Sequence, residues 1–226
     1  WVQSVGADTV RAYLMFGFDW AKGGPWDSKG IKGPRRWLED VWDLVTAGAP
    51  TASGDPEVER HVERVIHQTI RKVSRDLEAL SFNTAIAAQM MLKNEVQSAV
   101  REGKLGATIW QEAIRAMLLM MAPVTPHIAE ELWSMIGGGY SIHQQSWPAY
   151  DEAKAAEDVT TLVVMKNGKP IDRIEVAVGI SEDEAKSLAL ASDGAKRILN
   201  GDSPKRVIFI AGRGASSVEP KVNIVI

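Results

Sequence analysis

The spacing of apolar residues changes once along this chain, and that change limits what the chain can fold into. Up to about residue 136 they recur at steps of three and four, the period of a helix with one buried stripe; beyond about residue 158 they alternate, the period of a half-buried strand. Aromatic usage shifts at the same place: all eight tryptophans lie between Trp1 and Trp147, and beyond Tyr150 the one aromatic residue is Phe209. Two domains follow. The expected class is α+β overall, an all-α antiparallel helical bundle over residues 1–150, a linker at 151–158 where periodicity stops, and a small ubiquitin-like α+β domain of order ββαββ over 159–226.

In the first part, Val62, Ile66, Ile70, Val73, Leu77 and Leu80 form one stripe, with Arg64, Arg71, Lys72, Arg75 and Asp76 elsewhere on the wheel. Asp55 is the expected N-cap of this helix, Pro56 occupies its first turn, and Glu57 and Glu59 sit near its positive dipole end. Thr108 and Gln111 have capping-box spacing ahead of Ile109, Ala113, Leu118 and Met121, which are expected to point inward. Pro123 and Pro126 break and restart the chain, and Gly137, Gly138 and Gly139 end the helix that Pro126 opens. Residues 6–18 and 34–45 also read as helical, and five or six helices suffice for a bundle.

In the second part, Thr161–Met165 and Ile171–Val178 read as strands joined through Asn167-Gly168, the strongest short-range hairpin signal. Ser181 and Glu184 have capping-box spacing and open a helix through Leu190. A short helix near Ala195–Leu199 and strands at Arg206–Ala211 and Lys221–Ile226 complete the order.

Composition excludes several classes of chemistry. The chain has no cysteine, so disulfides, thiolate metal sites and cysteine nucleophiles are ruled out. The longest apolar runs, such as Ala116–Val124, fall far short of the roughly 20 residues that span a bilayer. The opening at Trp1 shows no signal pattern, and the absence of an initiating Met reads as a chain cut from something longer. Among His61, His67, His127 and His143 no pair has the one-face i, i+4 spacing of a metal frame, so no metal site is expected. His127, in a first helical turn, reads as a cap or packing residue. Gly137-Gly138-Gly139 follows a helix instead of preceding one, and Gly212-Arg213-Gly214 lacks the Lys-Ser/Thr of a phosphate loop. The acids Glu130, Glu131 and Glu182–Glu184 fall on exposed faces or first turns, and no catalytic residue is identified.

Net charge is −3, which by itself argues against a broadly basic coat. The acidic excess lies upstream: from Lys166 to Ile226, ten Lys/Arg stand against eight Asp/Glu.

Several segments resemble the class I aminoacyl-tRNA synthetases for branched aliphatic amino acids. Gly6-Ala7-Asp8-Thr9-Val10-Arg11 is similar to the segment that follows their ATP-binding signature loop, and Gly24-Pro25-Trp26, Gly30-Ile31, Gly33 and Arg36-Trp37-Leu38 narrow the resemblance to the leucyl type. Ser81-Phe82-Asn83-Thr84-Ala85 looks like that family's Phe-Asn-Thr-Ala helix, Pro123-Val124-Thr125-Pro126-His127 like its Pro-x-x-Pro-His helix, and Trp147-Pro148 like the pair that closes the bundle. Asn167-Gly168-Lys169 and Val222-Asn223-Ile224-Val225 resemble motifs of the bacterial-type leucyl C-terminal domain. The chain departs from that domain where Lys169 is followed by Pro170-Ile171-Asp172-Arg173, and where Gly212–Pro220 lengthens the link to the last strand. Read for packing, Phe82, Ile86 and Trp133 are expected in the core, Asn83 and Thr84 at a helix cap, and Asn167-Gly168 in a turn.

The resemblance implies a cytoplasmic, monomeric leucine–tRNA ligase whose upstream catalytic and editing domains use ATP and Mg²⁺, with no cofactor in the present portion and no membrane. It implies tRNA(Leu) as the partner, held by its body and elbow through shape and backbone contacts. The candidate RNA-binding residues are Lys166, Lys169, Arg173, Lys196, Arg197, Lys205, Arg206 and Arg213. Two other readings stand beside this one: a protein-interaction module built of a bundle and a ubiquitin-like tail, and the same region of a valyl or isoleucyl enzyme, whose bundle motifs are in part the same.

Overall fold

The computed structural model describes residues 1–156, 159–178, 180–200, 203–212 and 219–225. They form two compact units, Trp1–Ala155 and Ala156–Ile226. Arg213, Glu157 and Asp158 lie outside the described residues.

The first unit is helical: α1 (Val2–Val5), α2 (Ala7–Phe16), α3 (Lys32–Thr46), α4 (Pro56–Glu78), α5 (Phe82–Arg101), α6 (Ala107–Met121), α7 (Pro126–Met135) and α8 (Glu152–Ala155). Short links at 79–81, 102–106 and 122–125 make successive helices α4 to α7 turn back on one another. Their inward stripes meet in one core that includes Trp37, Val41, Ile66, Ile86, Leu92, Ile114, Met117, Leu118, Met121, Leu132 and Trp133. Each such side chain taken out of water contributes about 1.5–3 kcal/mol.

The helix ends explain where the chain stops and starts. Asp55 caps α4, its carboxylate accepting the N–H groups of Glu57 at 2.9 Å and Val58 at 3.3 Å. At the other end α4 stops at Glu78, because Leu80 turns into the left-handed region (φ 56°) and leaves the stripe, 63% exposed. The expected capping box at Thr108 and Gln111 does not form: α6 begins at Ala107 with Gly106 at the cap position, two residues earlier, and the Gly106 N–H is taken by Glu59 Oε1 of α4 at 3.0 Å. Asn83 and Thr84 likewise fall inside the first turn of α5, with Ser81 at the cap position and the Thr84 hydroxyl donating to the Ser81 carbonyl at 3.0 Å. Phe82 is half-buried, its ring edge-on to Trp20 at 4.9 Å. After α7 the Gly138 N–H returns to the Trp133 carbonyl at 2.9 Å, and a Cβ at Gly138 would lie 2.3 Å from the Trp133 ring, so only glycine closes this end.

Residues 151–155, expected within a linker, are docked on α4. The Asp151 N–H donates to His67 Nδ1 at 3.1 Å, Gln68 Nε2 to the Ala155 carbonyl at 2.9 Å, and Arg71 and Lys154 pair with Glu152 and Glu63 at 2.7 and 2.6 Å. Side chains, not an apolar stripe, hold this short helix, which is why no periodicity announces it.

The second unit contains β1 (Val159–Lys166), β2 (Lys169–Ala177), α9 (Glu182–Ala191), α10 (Asp193–Leu199), β3 (Arg206–Ile210) and β4 (Lys221–Val225). The strand order is β2-β1-β4-β3, with β1 and β4 parallel and both outer pairs antiparallel, the ubiquitin-like arrangement. Leu162, Val164, Val176, Val222 and Ile224 point to one face and are covered by Ala185 and Ala189 of α9 and Ala195 of α10. The capping box of α9 forms as expected, Ser181 Oγ accepting the Glu184 N–H and donating to its carboxylate. Pro170 lies on the edge strand, and the β1–β2 register slips beside it, between the pairs Val164↔Asp172 and Met165↔Pro170.

Replacing Asp55 with Ala removes the cap of the longest helix and is expected to lower stability by about 0.5–2 kcal/mol in urea unfolding followed by tryptophan fluorescence. All eight tryptophans lie before the second unit, so this signal isolates the bundle.

Candidate nucleic-acid interface

The parallel pairing of β1 with β4 brings the C-terminal ends of both strands to one edge of the sheet, where Lys166 pairs with Ile224. The antiparallel partners start at that same edge: Lys169 opens β2 opposite Lys166, and Arg206 opens β3 opposite Val225. Lys205, one residue earlier, donates its backbone N–H to the Val225 carbonyl at 2.9 Å. Lys166, Lys169, Lys205 and Arg206 therefore gather at one end of the sheet. Lys169, Lys205 and Arg206 are exposed and Lys166 is half-buried; none of the four is ion-paired among the described residues.

The backbone of this end is held in place. Asn167 and Gly168 have φ of 47° and 83°, as a two-residue hairpin of the favoured hand requires. The Gly168 N–H donates to Asn223 Oδ1 of β4 at 2.9 Å, and the Asn167 N–H to the Ile224 carbonyl at 3.0 Å. The sequence marks Asn223 as part of a motif but not as a clamp on the hairpin, a role visible only once β1 and β4 are paired.

The other candidates fare differently. Arg173 stands midway along the edge strand β2, its Nη1 at 3.1 and 3.3 Å from the two carboxylate oxygens of Glu219, so its charge is already matched. Lys196 and Arg197 are exposed on α10, where Arg197 Nε donates to the Asp193 carbonyl at 3.1 Å. Acids collect at the opposite end of the sheet: Glu175, Glu219, and Glu182, Asp183 and Glu184 in the first turn of α9. The unit is polarised along its strands.

Asp172 anchors α10 to β2. Its carboxylate accepts the Gly194 N–H at 2.7 Å and the Arg173 N–H at 2.9 Å, and these backbone bonds, helped by Ser192 and the nearby Arg197 charge, hold its pKa below the ordinary value.

In the bundle, two clusters carry titratable groups. Asp8, 8% exposed, accepts the Ile128 N–H at 2.8 Å and holds His127 Nδ1 at 2.8 Å, so it caps α7 from a distant segment. His127 is thus tethered by Asp8, and the Asp carboxylate fills the cap. Glu63, His67 and Glu112 bring three ligand-type atoms within 4.8 Å, a grouping that a search for paired histidines does not find. The histidine tautomer argues against a metal there. Nδ1 accepts from Asp151, so the neutral ring carries its proton on Nε2, 3.3 Å from Glu112 and too oblique for a hydrogen bond. A metal ligand needs that nitrogen's lone pair, and Lys154 already sets a positive charge on Glu63.

The family model for the anticodon-binding domain of tRNA ligase matches residues 59–190, more than half of the chain. The chain belongs to this family. Within the anticodon-binding family its similarity runs to bacterial leucine–tRNA ligases, as the sequence motifs led one to expect. The enzyme of Dehalococcoides mccartyi (strain 195) is 46% identical over 212 residues, covering 94% of this chain and 26% of that protein. That of Rubrobacter xylanophilus is 40% identical over 214 residues, again 94% and 26%. The chain thus spans about a quarter of the length of the curated relatives it matches. Among solved structures, the ternary complex of Agrobacterium radiobacter LeuRS, tRNA and LeuAMS superimposes with a TM-score of 0.81 at 28% identity, over 99% of this chain and 29% of that one. The free-state methionyl-tRNA synthetase of Mycobacterium tuberculosis is alike in fold alone, with a TM-score of 0.50 at 14% identity over 62% of this chain and 34% of that one. No helix among the described residues is long and apolar enough to cross a membrane.

Asp172→Asn is expected to lower the thermal midpoint of the tail at pH 7, read by amide hydrogen exchange across 159–178. Because the folded carboxyl is held below its ordinary value, its contribution is present at neutral pH and is lost as the pH falls through the folded pKa. The gap between variant and parent should therefore close below about pH 4.

Proposed function

We propose that this chain is the tRNA-binding C-terminal region of a leucine–tRNA ligase, with residues 1–150 as a tRNA-binding bundle, 151–158 as the join and 159–226 as the tail domain. The observation that carries the reading is the convergence of Lys166, Lys169, Lys205 and Arg206 at one end of the tail sheet, unpaired among the described residues, with Lys166 and Lys169 flanking a fixed hairpin. Such a cationic end meets phosphates and 2′-hydroxyls, a readout of backbone and shape. Lys196, Arg197 and Arg173 are secondary contacts, Arg173 weakened by its tie to Glu219; Arg213 remains a candidate by sequence.

In this reading the catalytic and editing domains belong to the rest of a longer enzyme, which uses ATP and Mg²⁺ to join leucine to tRNA in the cytoplasm. The present portion acts as a monomer that positions tRNA(Leu) and is inactive alone. Its glycine-rich stretch Gly137–Gly139 supports the division of labour, since it closes the C-terminal end of α7, where carbonyls rather than N–H groups are presented to a ligand.

Titration with tRNA(Leu) at several salt concentrations tests the proposal. Engagement of four phosphates gives a log K against log salt slope of about −3 to −4, and Lys166→Glu with Lys169→Glu should cut affinity at least about tenfold and flatten the slope by about two. A salt-insensitive affinity would instead mark a protein interface, and equal or better binding of tRNA(Val) would move the assignment to a sister enzyme.

A further inference from the structure

A groove of about 550 Å³ lies in the bundle, between the end of α3 (Val45, Thr46, Gly48, Ala49), the first half of α6 (Trp110, Gln111, Ile114, Arg115) and the end of α7 (Met135, Ile136). Arg115 is exposed, and no carboxylate pairs with it among the described residues. Its guanidinium lies over the Trp133 ring, 4.6 Å from the centroid. Trp133 is itself immobilised, 2% exposed with its indole N–H bonded to the Gly139 carbonyl at 2.9 Å. The guanidinium is therefore held over an aromatic ring, and the exposed side chain borders the groove.

We propose that this groove takes a single unstacked nucleobase of bound RNA, seated face-on against Arg115. The proposal rests on the RNA-binding reading above and assigns that reading a second site. Three features select a base over other ligands. Planar guanidinium offers a stacking surface, as an aromatic ring does, and the apolar side chains of Val45, Ile114, Met135 and Ile136 suit the flat faces of a heterocycle. The edges supply both hydrogen-bonding senses: Gln111 and Arg115 donate, and the last turns of α3 and α7 present carbonyl acceptors. Two helix C-termini end here, each with partial negative charge, which opposes a phosphate and favours a neutral polar ring. The Trp110 ring at the groove wall adds a buried indole N–H with no acceptor among the described residues.

The experiment uses the whole chain with a tRNA(Leu) transcript, unmodified for titration and substituted with 4-thiouridine for photo-crosslinking. Arg115→Lys keeps the charge on an exposed position and removes the plane. It is expected to weaken binding about fivefold or more while leaving the salt slope unchanged, and Arg115→Ala to weaken it at least as much. Crosslinks are expected on peptides carrying residues 110–115 or 135–136. Affinity of Arg115→Lys equal to the parent chain, or crosslinks confined to other peptides, overturns the proposal, including the case in which the groove receives a protein side chain instead. Failure of the parent chain to bind RNA at all removes the RNA-binding reading itself, and a parent that binds normally while Arg115→Lys is silent removes only this site.

Discussion

The parallel pairing of β1 with β4 is the constraint on which the cationic end depends. An antiparallel central pair would put the Lys166 end of β1 beside the start of β4, near Glu219, and the positive set would be divided between two edges. With the parallel pair, both central strands finish together and both outer strands begin together, so residues far apart in sequence share one edge. The helices cover one face of the sheet, and the small Ala185, Ala189 and Ala195 let them approach Leu162, Val164, Val222 and Ile224 closely.

Net charge alone would have argued against RNA. A total of −3 is spread over 226 residues, whereas the field that a phosphate meets is set by groups within a Debye length, about 8–10 Å. Among the described residues the neighbourhood of the hairpin end is positive, and acids collect at the far end of the strands. Arg173 illustrates the distinction. It is exposed, but its Nη1 already holds the Glu219 carboxylate, so a phosphate would have to compete with Glu219 for its charge.

Much of the architecture was legible because it rests on local signals. The caps at Asp55 and Ser181, the restart at Pro126 and the Asn167-Gly168 turn depend on residues within three or four positions of one another. What was illegible depended on distant partners. Glu59 reaches 47 residues on to cap α6, making the Thr108–Gln111 box redundant, and Asp8 reaches 120 residues to cap α7. Leu80 fits the apolar stripe by spacing, yet α4 ends before it, and α8 carries no stripe and is held by four side chains of α4, Glu63, His67, Gln68 and Arg71. The site shows the same division: basic residues at strand ends could be named from the sequence, but which of them share an edge is a property of the register. The Arg115–Trp133 stack had no signal at all, since the two sit on different helices with ordinary helical spacing around each.

Reading RNA by contour requires fixed geometry, and long lysine side chains do not supply it. In this tail the backbone does. A two-residue turn with both φ positive has little freedom, and Asn223 ties its Gly168 N–H to the neighbouring strand, so the Cα positions of Lys166 and Lys169 are set while their ammonium groups remain adaptable. The same argument explains why Pro170 is compatible with the site. Proline removes an N–H on the edge strand and shifts the register, but the slip begins beyond the Lys166↔Lys169 pair, after the turn is complete. The residues that follow, including Arg173, take new positions on the sheet, and the hairpin tip keeps its geometry.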